Sequence, residues 1–359
     1  MEPTDDRIRR APKVVLHDHL DGGLRPATIV ELAAEAGYDG LPTRDADELA
    51  AWFDQSRSGG DLVRYLEAFR HTVAVMQSAD ALERVAAECA QDLAADGLVY
   101  AEVRFGPELH EQRGLTLEAV VEAVLTGFRH GSADRGIEVR TILCAIRDAD
   151  RSLEVATLAG RYLDEGVVGF DIAGPEAGHP PTEHLAAFER MRELGGHVTI
   201  HAGEADGPAS IRAALDPCGA ERLGHGVRVT DDISTDPDGR PRLGPVAMTV
   251  LERQVPLELC PTSNVHTGVA ASVADHPIDR LRHLGLRVTV NTDNRLMSRI
   301  TLTDELAALV AAFGYDLADL EDLTVAAMES AFCPPEDRRR IIDAVIRPGY
   351  AALHEEVGA

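Results

Sequence analysis

Along this chain, short runs of β-branched and other apolar residues alternate with longer stretches in which apolar positions recur at helical spacing. The short runs of the first half are KVVLHDH (13–19), LVYAEVRF (98–105), VRTILCAI (139–146) and VVGFDIAG (167–174). HVTIHAG (197–203), RLGHG (222–226), PLELCP (256–261) and RVTVNTD (287–293) follow in the second half. Their length and composition predict strands. Segments such as DALERVAAECAQDLAADG and LEAVVEAVLTGFRHG, with a glycine at the stop, predict the amphipathic helices between them. Eight strands joined by helical crossovers in 359 residues predict an α/β fold, a (β/α)8 TIM barrel with additional helices. A doubly wound open sheet competes, but no Gly-x-Gly-x-x-Gly follows an early strand. No low-complexity linker divides the chain, so residues 1–12 read as an N-terminal tail and 13–359 as one domain.

The polar positions inside these runs change the picture. Alternate residues of a strand share a face, and the inward set would hold His17, His19, Glu102, Arg104, Asp171, His197, Thr199 and His201. His225, Glu258, Asn291 and Asp293 complete it. Barrel interiors are ordinarily layers of Val, Ile and Leu. Burying so many polar groups is costly unless they pair with one another or bind something.

Charge and cysteine usage narrow the function classes. With 35 basic and 61 acidic residues the formal net charge is −26, which repels phosphate backbones and argues against nucleic acid or an anionic membrane as partner. No apolar stretch approaches the ~20 residues of a membrane span, and MEPTDDRIRRAP at the start is too charged for a secretory h-region. Five cysteines are scattered singly, without a C-x-x-C pair, as expected of reduced thiols in the cytoplasm. Lys13 is the one lysine, which removes most lysine-based chemistry.

Several polar groups fall where strands end, the face on which barrel enzymes carry their active sites. His17 and His19 close the first strand, His201 and Glu204 the fifth, His225 the sixth, and Asp293 and Asn294 the eighth. Singly, each has an ordinary explanation: a hydrogen-bonded histidine, or an aspartate capping the next helix. Together, His17, His19, His201 and Asp293 would form the shell of a mononuclear catalytic zinc, which keeps one position open for water.

HDHLDG, DIAG, HAGE, GHG, CPTSN and NTDN occur here in the order and spacing of the adenosine deaminase family, within the metal-dependent amidohydrolase superfamily. The similarity runs from about residue 13 to the C-terminal MESAFCPPEDR. This resemblance implies a zinc-dependent hydrolytic deaminase of purine metabolism, taking adenosine and 2′-deoxyadenosine with water to the 6-oxopurine nucleoside and ammonia. His17, His19, His201 and Asp293 would bind one Zn2+. Glu204 would protonate purine N1, and His225 would position the zinc-bound hydroxide. Asp21 would receive the ribose 5′-hydroxyl, and the Gly174 N–H would reach purine N3. The chemistry agrees: zinc lowers the pKa of its water from 15.7 to about 7, and protonating N1 makes C6 electrophilic.

One position departs from the familiar pattern. Asn294 stands where a second aspartate usually donates to purine N7; its NH2 donates without needing a proton first. Asp21 favours a nucleoside, since the adenine-directed branches of the family tend to carry glutamate in the corresponding stretch. Adenine, AMP or a modified adenosine is the alternative substrate, and a non-catalytic nucleoside-binding homologue a further one. Lysine-bridged binuclear sites are excluded because Lys13 precedes the first strand's histidines. PCGAE (217–221) lacks the second cysteine of a cytidine-deaminase ligand set. Trp52–Met76, with Leu62, Tyr65, Leu66 and Phe69 on one stripe, reads as core or as an apolar lid. Ser263, Glu258 and Asp171 stand either behind the metal or beside the purine.

Overall fold

Each of the eight predicted runs contributes a strand to one parallel sheet in the computed structural model, which describes residues 3–56 and 68–358. In chain order the strands are Lys13–His19, Leu98–Phe105, Glu138–Ile146, Val167–Ala173, His197–Ala202, Arg222–His225, Leu257–Leu259 and Val288–Val290. Each pairs in parallel with its predecessor. The sheet curls until its ends meet: the His19 N–H donates to the Asp293 carbonyl at 2.7 Å and the Asp293 N–H to the His17 carbonyl at 2.9 Å. At the same seam Asn291 Oδ1 accepts the backbone N–H groups of Leu16 and His17. A side chain thereby takes the place of a missing ladder bond.

Outward strand residues such as Leu16, Val103, Ile172 and Ile200 are buried beneath the helical layer. The helix Ala79–Ala95 is typical of that layer. Ser78 caps it by accepting the Ala81 N–H, and Leu82, Val85, Ala86, Cys89 and Leu93 form its buried face. Among the described residues no helix is long and apolar enough to cross a membrane. All five cysteines are buried and unpaired.

The structure departs from the sequence reading at several points. The seventh and eighth strands are shorter than their apolar runs, because Pro261 starts a helix (Pro261–His266) and Asp293 turns out of extended backbone at φ 57°. A small antiparallel hairpin, Ile233–Thr235 with Pro241–Leu243, follows the sixth strand and was not foreseen. Residues Asp5–Arg10, read as part of a tail, form a helix with Ile8 buried. Lys13 Nζ donates to the carbonyls of Ile8, Arg9 and Ala11, far from the histidines. His197 is not an interior residue. As the first residue of its strand it lies at the barrel's lower rim, 43% exposed, bonded to Glu221 and stacked on Phe332. Leu62, Tyr65 and Leu66 lie outside the described residues.

Candidate active site

The barrel interior is polar from its floor upward, and its pairings explain why. Glu258, fully buried on the seventh strand, accepts from Thr199 Oγ1 (2.9 Å), Arg222 Nε (2.7 Å), Arg104 Nη2 (2.7 Å) and His17 Nδ1 (2.9 Å). Burial opposes its charge, yet Arg104 and Arg222 hold the carboxyl well below its ordinary pKa. Asp171 accepts from Arg104 Nη1 (2.6 Å), His201 Nδ1 (2.8 Å) and the His201 N–H (3.1 Å). It too is held low, by His201 and Arg104 against the effect of burial. Both carboxylates thus stand behind the histidines, with no contact to a purine-sized space. Ser263 does the same for Asp293, donating to Oδ2 at 2.5 Å.

These partners fix two imidazoles. With their Nδ1 atoms on the Glu258 and Asp171 carboxylates, His17 and His201 direct their Nε2 atoms toward each other's neighbourhood. His17 Nε2 lies 3.3 Å from Asp293 Oδ1, His19 Nε2 3.5 Å from the same oxygen, and His19 Nε2 3.4 Å from His201 Nε2. All four donor atoms fall within 4.8 Å of one another. A tetrahedral ion with bonds of ~2.0–2.1 Å has donor–donor edges of about 3.3–3.4 Å, so the spacing suits zinc. His17 Nε2 is buried without a hydrogen-bond partner, as a ligand atom would be. Burial holds His19 and His201 below the usual histidine range, His201 at about 4, so both are poised to bind as neutral rings. A second grouping of His17, His225, Cys260 and Asp293 is equally close. Burial drives the Cys260 thiol well above its ordinary pKa, which makes it the poorer donor.

The predicted substrate-side residues gather around the same point. His19, Asp21, Gly174, His201, Glu204, His225, Asp293 and Asn294 line one cavity, whose apolar wall includes Phe69, Leu109 and Ile146. Asp21 sits in the turn Leu20–Gly22; its Oδ1 is buried without a partner, and burial raises its carboxyl to about 6. Gly174 adopts φ 112°, a conformation that only glycine takes readily. Gly22 is required by closeness: a Cβ there would meet the Asn294 side chain at 2.0 Å. Asp18, on the opposite face of the first strand, accepts from Thr292 Oγ1 (2.6 Å) and Arg295 Nε (2.9 Å) and so braces the seam.

Glu204 Oε2 lies 3.6 Å from His225 Nε2, and burial pushes its carboxyl upward. The sequence reading missed what holds it. Glu176, three residues beyond the fourth strand, accepts the backbone N–H groups of Gly203 (2.6 Å), Glu204 (3.0 Å), Ala205 (2.7 Å) and Asp206 (3.0 Å), and the Ser210 hydroxyl (2.6 Å). One carboxylate thereby pins the whole loop that carries Glu204. A single acid after DIAGP gives no local sign of this; only its position just past a strand end could have drawn notice.

Known proteins resemble this chain over almost its whole length. The family model described as adenosine deaminase matches residues 12–348. Adenosine deaminase 1 of Streptomyces coelicolor is 60% identical over 359 residues, covering 99% of this chain and 91% of the relative. Adenosine deaminase of Mycolicibacterium gilvum is 58% identical over 355 residues, covering 98% of each. Among solved structures, adenine deaminase from Arthrobacter aurescens superposes with a TM-score of 0.82 at 27% identity, covering 97% of this chain and 100% of that one.

Proposed function

This chain belongs to the adenosine deaminase family and catalyses the hydrolytic deamination of adenosine; we propose that it does so in the cavity between Asp21 and Asn294, with one zinc ion held by His17, His19, His201 and Asp293. The family is metal-dependent. The convergence of four donor atoms within 4.8 Å beside the largely enclosed Glu204 carboxyl carries this reading. When bound, zinc supplies Lewis acidity, lowering the pKa of a water from 15.7 to about 7.

The chain's own residues do the rest. Glu204, whose pKa burial raises, serves as the acid toward purine N1, and protonation there drains electron density from C6. His225 presents its ring to the attacking oxygen. Glu258 and Asp171 keep the two ligand imidazoles oriented, and Ser263 keeps Asp293 from rotating. Asp21 takes the ribose 5′-hydroxyl, the Gly174 N–H takes purine N3, and the Asn294 NH2 takes N7. Phe69, Leu109 and Ile146 exclude water from the base. One water is consumed, ammonia leaves from C6, and inosine is the product. The buried, unpaired cysteines favour a reducing, cytoplasmic setting.

A nucleoside fits better than a bare base because the buried Asp21 Oδ1 has no partner among the described residues and needs a hydroxyl to accept from. Rates of the zinc-loaded protein on adenosine, 2′-deoxyadenosine, adenine and AMP, followed by the ultraviolet change on deamination, test this. Both nucleosides are expected to exceed adenine and AMP in kcat/KM by about 100-fold or more, a difference of ~2.7 kcal/mol. Preference for adenine or AMP would overturn the nucleoside assignment and leave the deaminase chemistry standing.

A further inference from the structure

Behind His225 lies a chain of hydrogen bonds whose direction is set by one unambiguous donor. The Ile278 backbone N–H donates to His276 Nδ1 at 3.2 Å, so that nitrogen is an acceptor and carries no proton. The single proton of His276 then resides on Nε2, which donates to Asn264 Oδ1 at 3.1 Å. That contact fixes the Asn264 amide, whose oxygen faces His276 and whose NH2 faces His225 Nδ1 at 3.2 Å. His225 Nδ1 must therefore accept, and its proton is left on Nε2, the nitrogen that points into the cavity toward Glu204.

We infer that Asn264 and His276 are positioning residues that lock His225 in the Nε2–H tautomer, making it a hydrogen-bond donor to the reacting oxygen rather than a base. The inference rests on the deaminase reading of this cavity and adds to it a direction of donation. Every member is buried: His225 and His276 are 1% and 3% exposed, and Asn264 is inaccessible. The links are therefore shielded from bulk solvent. Burial also drives His276 to about 3, so it keeps one proton and not two. The anchor is rigid at both ends. Asn264 belongs to the helix Pro261–His266, with its N–H on the Cys260 carbonyl at 2.8 Å, and its own carbonyl accepts the Val269 N–H at 2.8 Å. A proton moved to His225 Nδ1 would face the two Asn264 N–H donors, and turning the amide to welcome it would set NH2 against the His276 Nε2–H.

The test reads the tautomer directly. In full-length, zinc-loaded protein labelled with 15N-histidine, long-range proton–nitrogen correlation spectra report which ring nitrogen of each histidine carries hydrogen; His225→Gln assigns the signals. The wild-type His225 proton is expected on Nε2. Asn264→Asp offers only acceptor oxygens, so the proton should move to Nδ1, with kcat falling about 10²–10³-fold, as for loss of one oxyanion donor, and KM changing less than about threefold. His276→Ala, which frees the amide to turn, should lower kcat about tenfold. A wild-type His225 protonated on Nδ1 or on both nitrogens overturns the inference. So does an Asn264→Asp variant that switches tautomer without losing kcat, or loses kcat without switching. The wild-type spectrum needs no substrate, so its outcome is separate from that of the substrate comparison.

Discussion

The floor and the mouth of this barrel are both polar, and they differ in how their acceptor atoms are paired. At the floor, each oxygen of Glu102, Asp171 and Glu258 has a donor. Glu102 takes the Tyr100 hydroxyl, the Phe332 N–H and Arg222 Nη2 at 2.9, 2.6 and 2.6 Å. At the mouth, His17 Nε2, Asp21 Oδ1 and Asn294 Oδ1 are buried without a hydrogen-bond partner among the described residues. Buried polar atoms are ordinarily satisfied. The floor replaces the usual apolar layers with an ion-pair lattice that holds the imidazoles, and the mouth leaves open the valences that a metal and a nucleoside would fill.

Breaking the mouth should cost chemistry and spare the fold. Glu204→Gln is expected to lower kcat about 10²–10⁴-fold, with metal content by elemental analysis unchanged and the melting temperature within a few degrees of wild type. Loss of metal in this variant would mean that Glu204 belongs to the ligand shell. Breaking the floor should do the reverse. Arg222→Met strips a donor from both Glu102 and Glu258 and leaves the buried Glu102 carboxylate without its cation, at about 3–5 kcal/mol. Denaturant titration should record that loss while kcat of the folded protein stays within a few-fold. A collapse of kcat at unchanged stability would place the lattice in the chemistry itself. The smallest effect sharpens the boundary: Asn294→Ala should raise KM about tenfold, ~1.4 kcal/mol, with metal retained, because in the proposed site the side chain would meet substrate and not the ion.

Much of the architecture was legible because strand periodicity fixes which face a residue occupies. The second strand has the same bounds in sequence and structure, and the two-residue step in HDH places both histidines inside. Periodicity says nothing of height, however, and His197 shares the parity of His201 while sitting at the lower rim. Short-range pattern is equally silent about partners brought together from distant segments. Asp18 had no visible purpose until Thr292 and Arg295 were seen beside it. Glu176, Asn264 and His276 lie in loops or short helices where a single polar residue has no period to betray it. Their roles come from hydrogen bonds to backbone and side chains remote in the chain, which no local motif encodes.

The seam between the first and eighth strands has a consequence for how the molecule is made. His17 and Asp293 share a site, yet they leave the ribosome far apart in time. At ~5–20 residues per second, roughly 14–55 s of synthesis separate them. Phe332, whose N–H completes Glu102, arrives later still. Throughout that interval the nascent chain carries charged side chains destined for the interior with their counterparts not yet translated. The first half must therefore wait in water, unclosed, for the second to finish it.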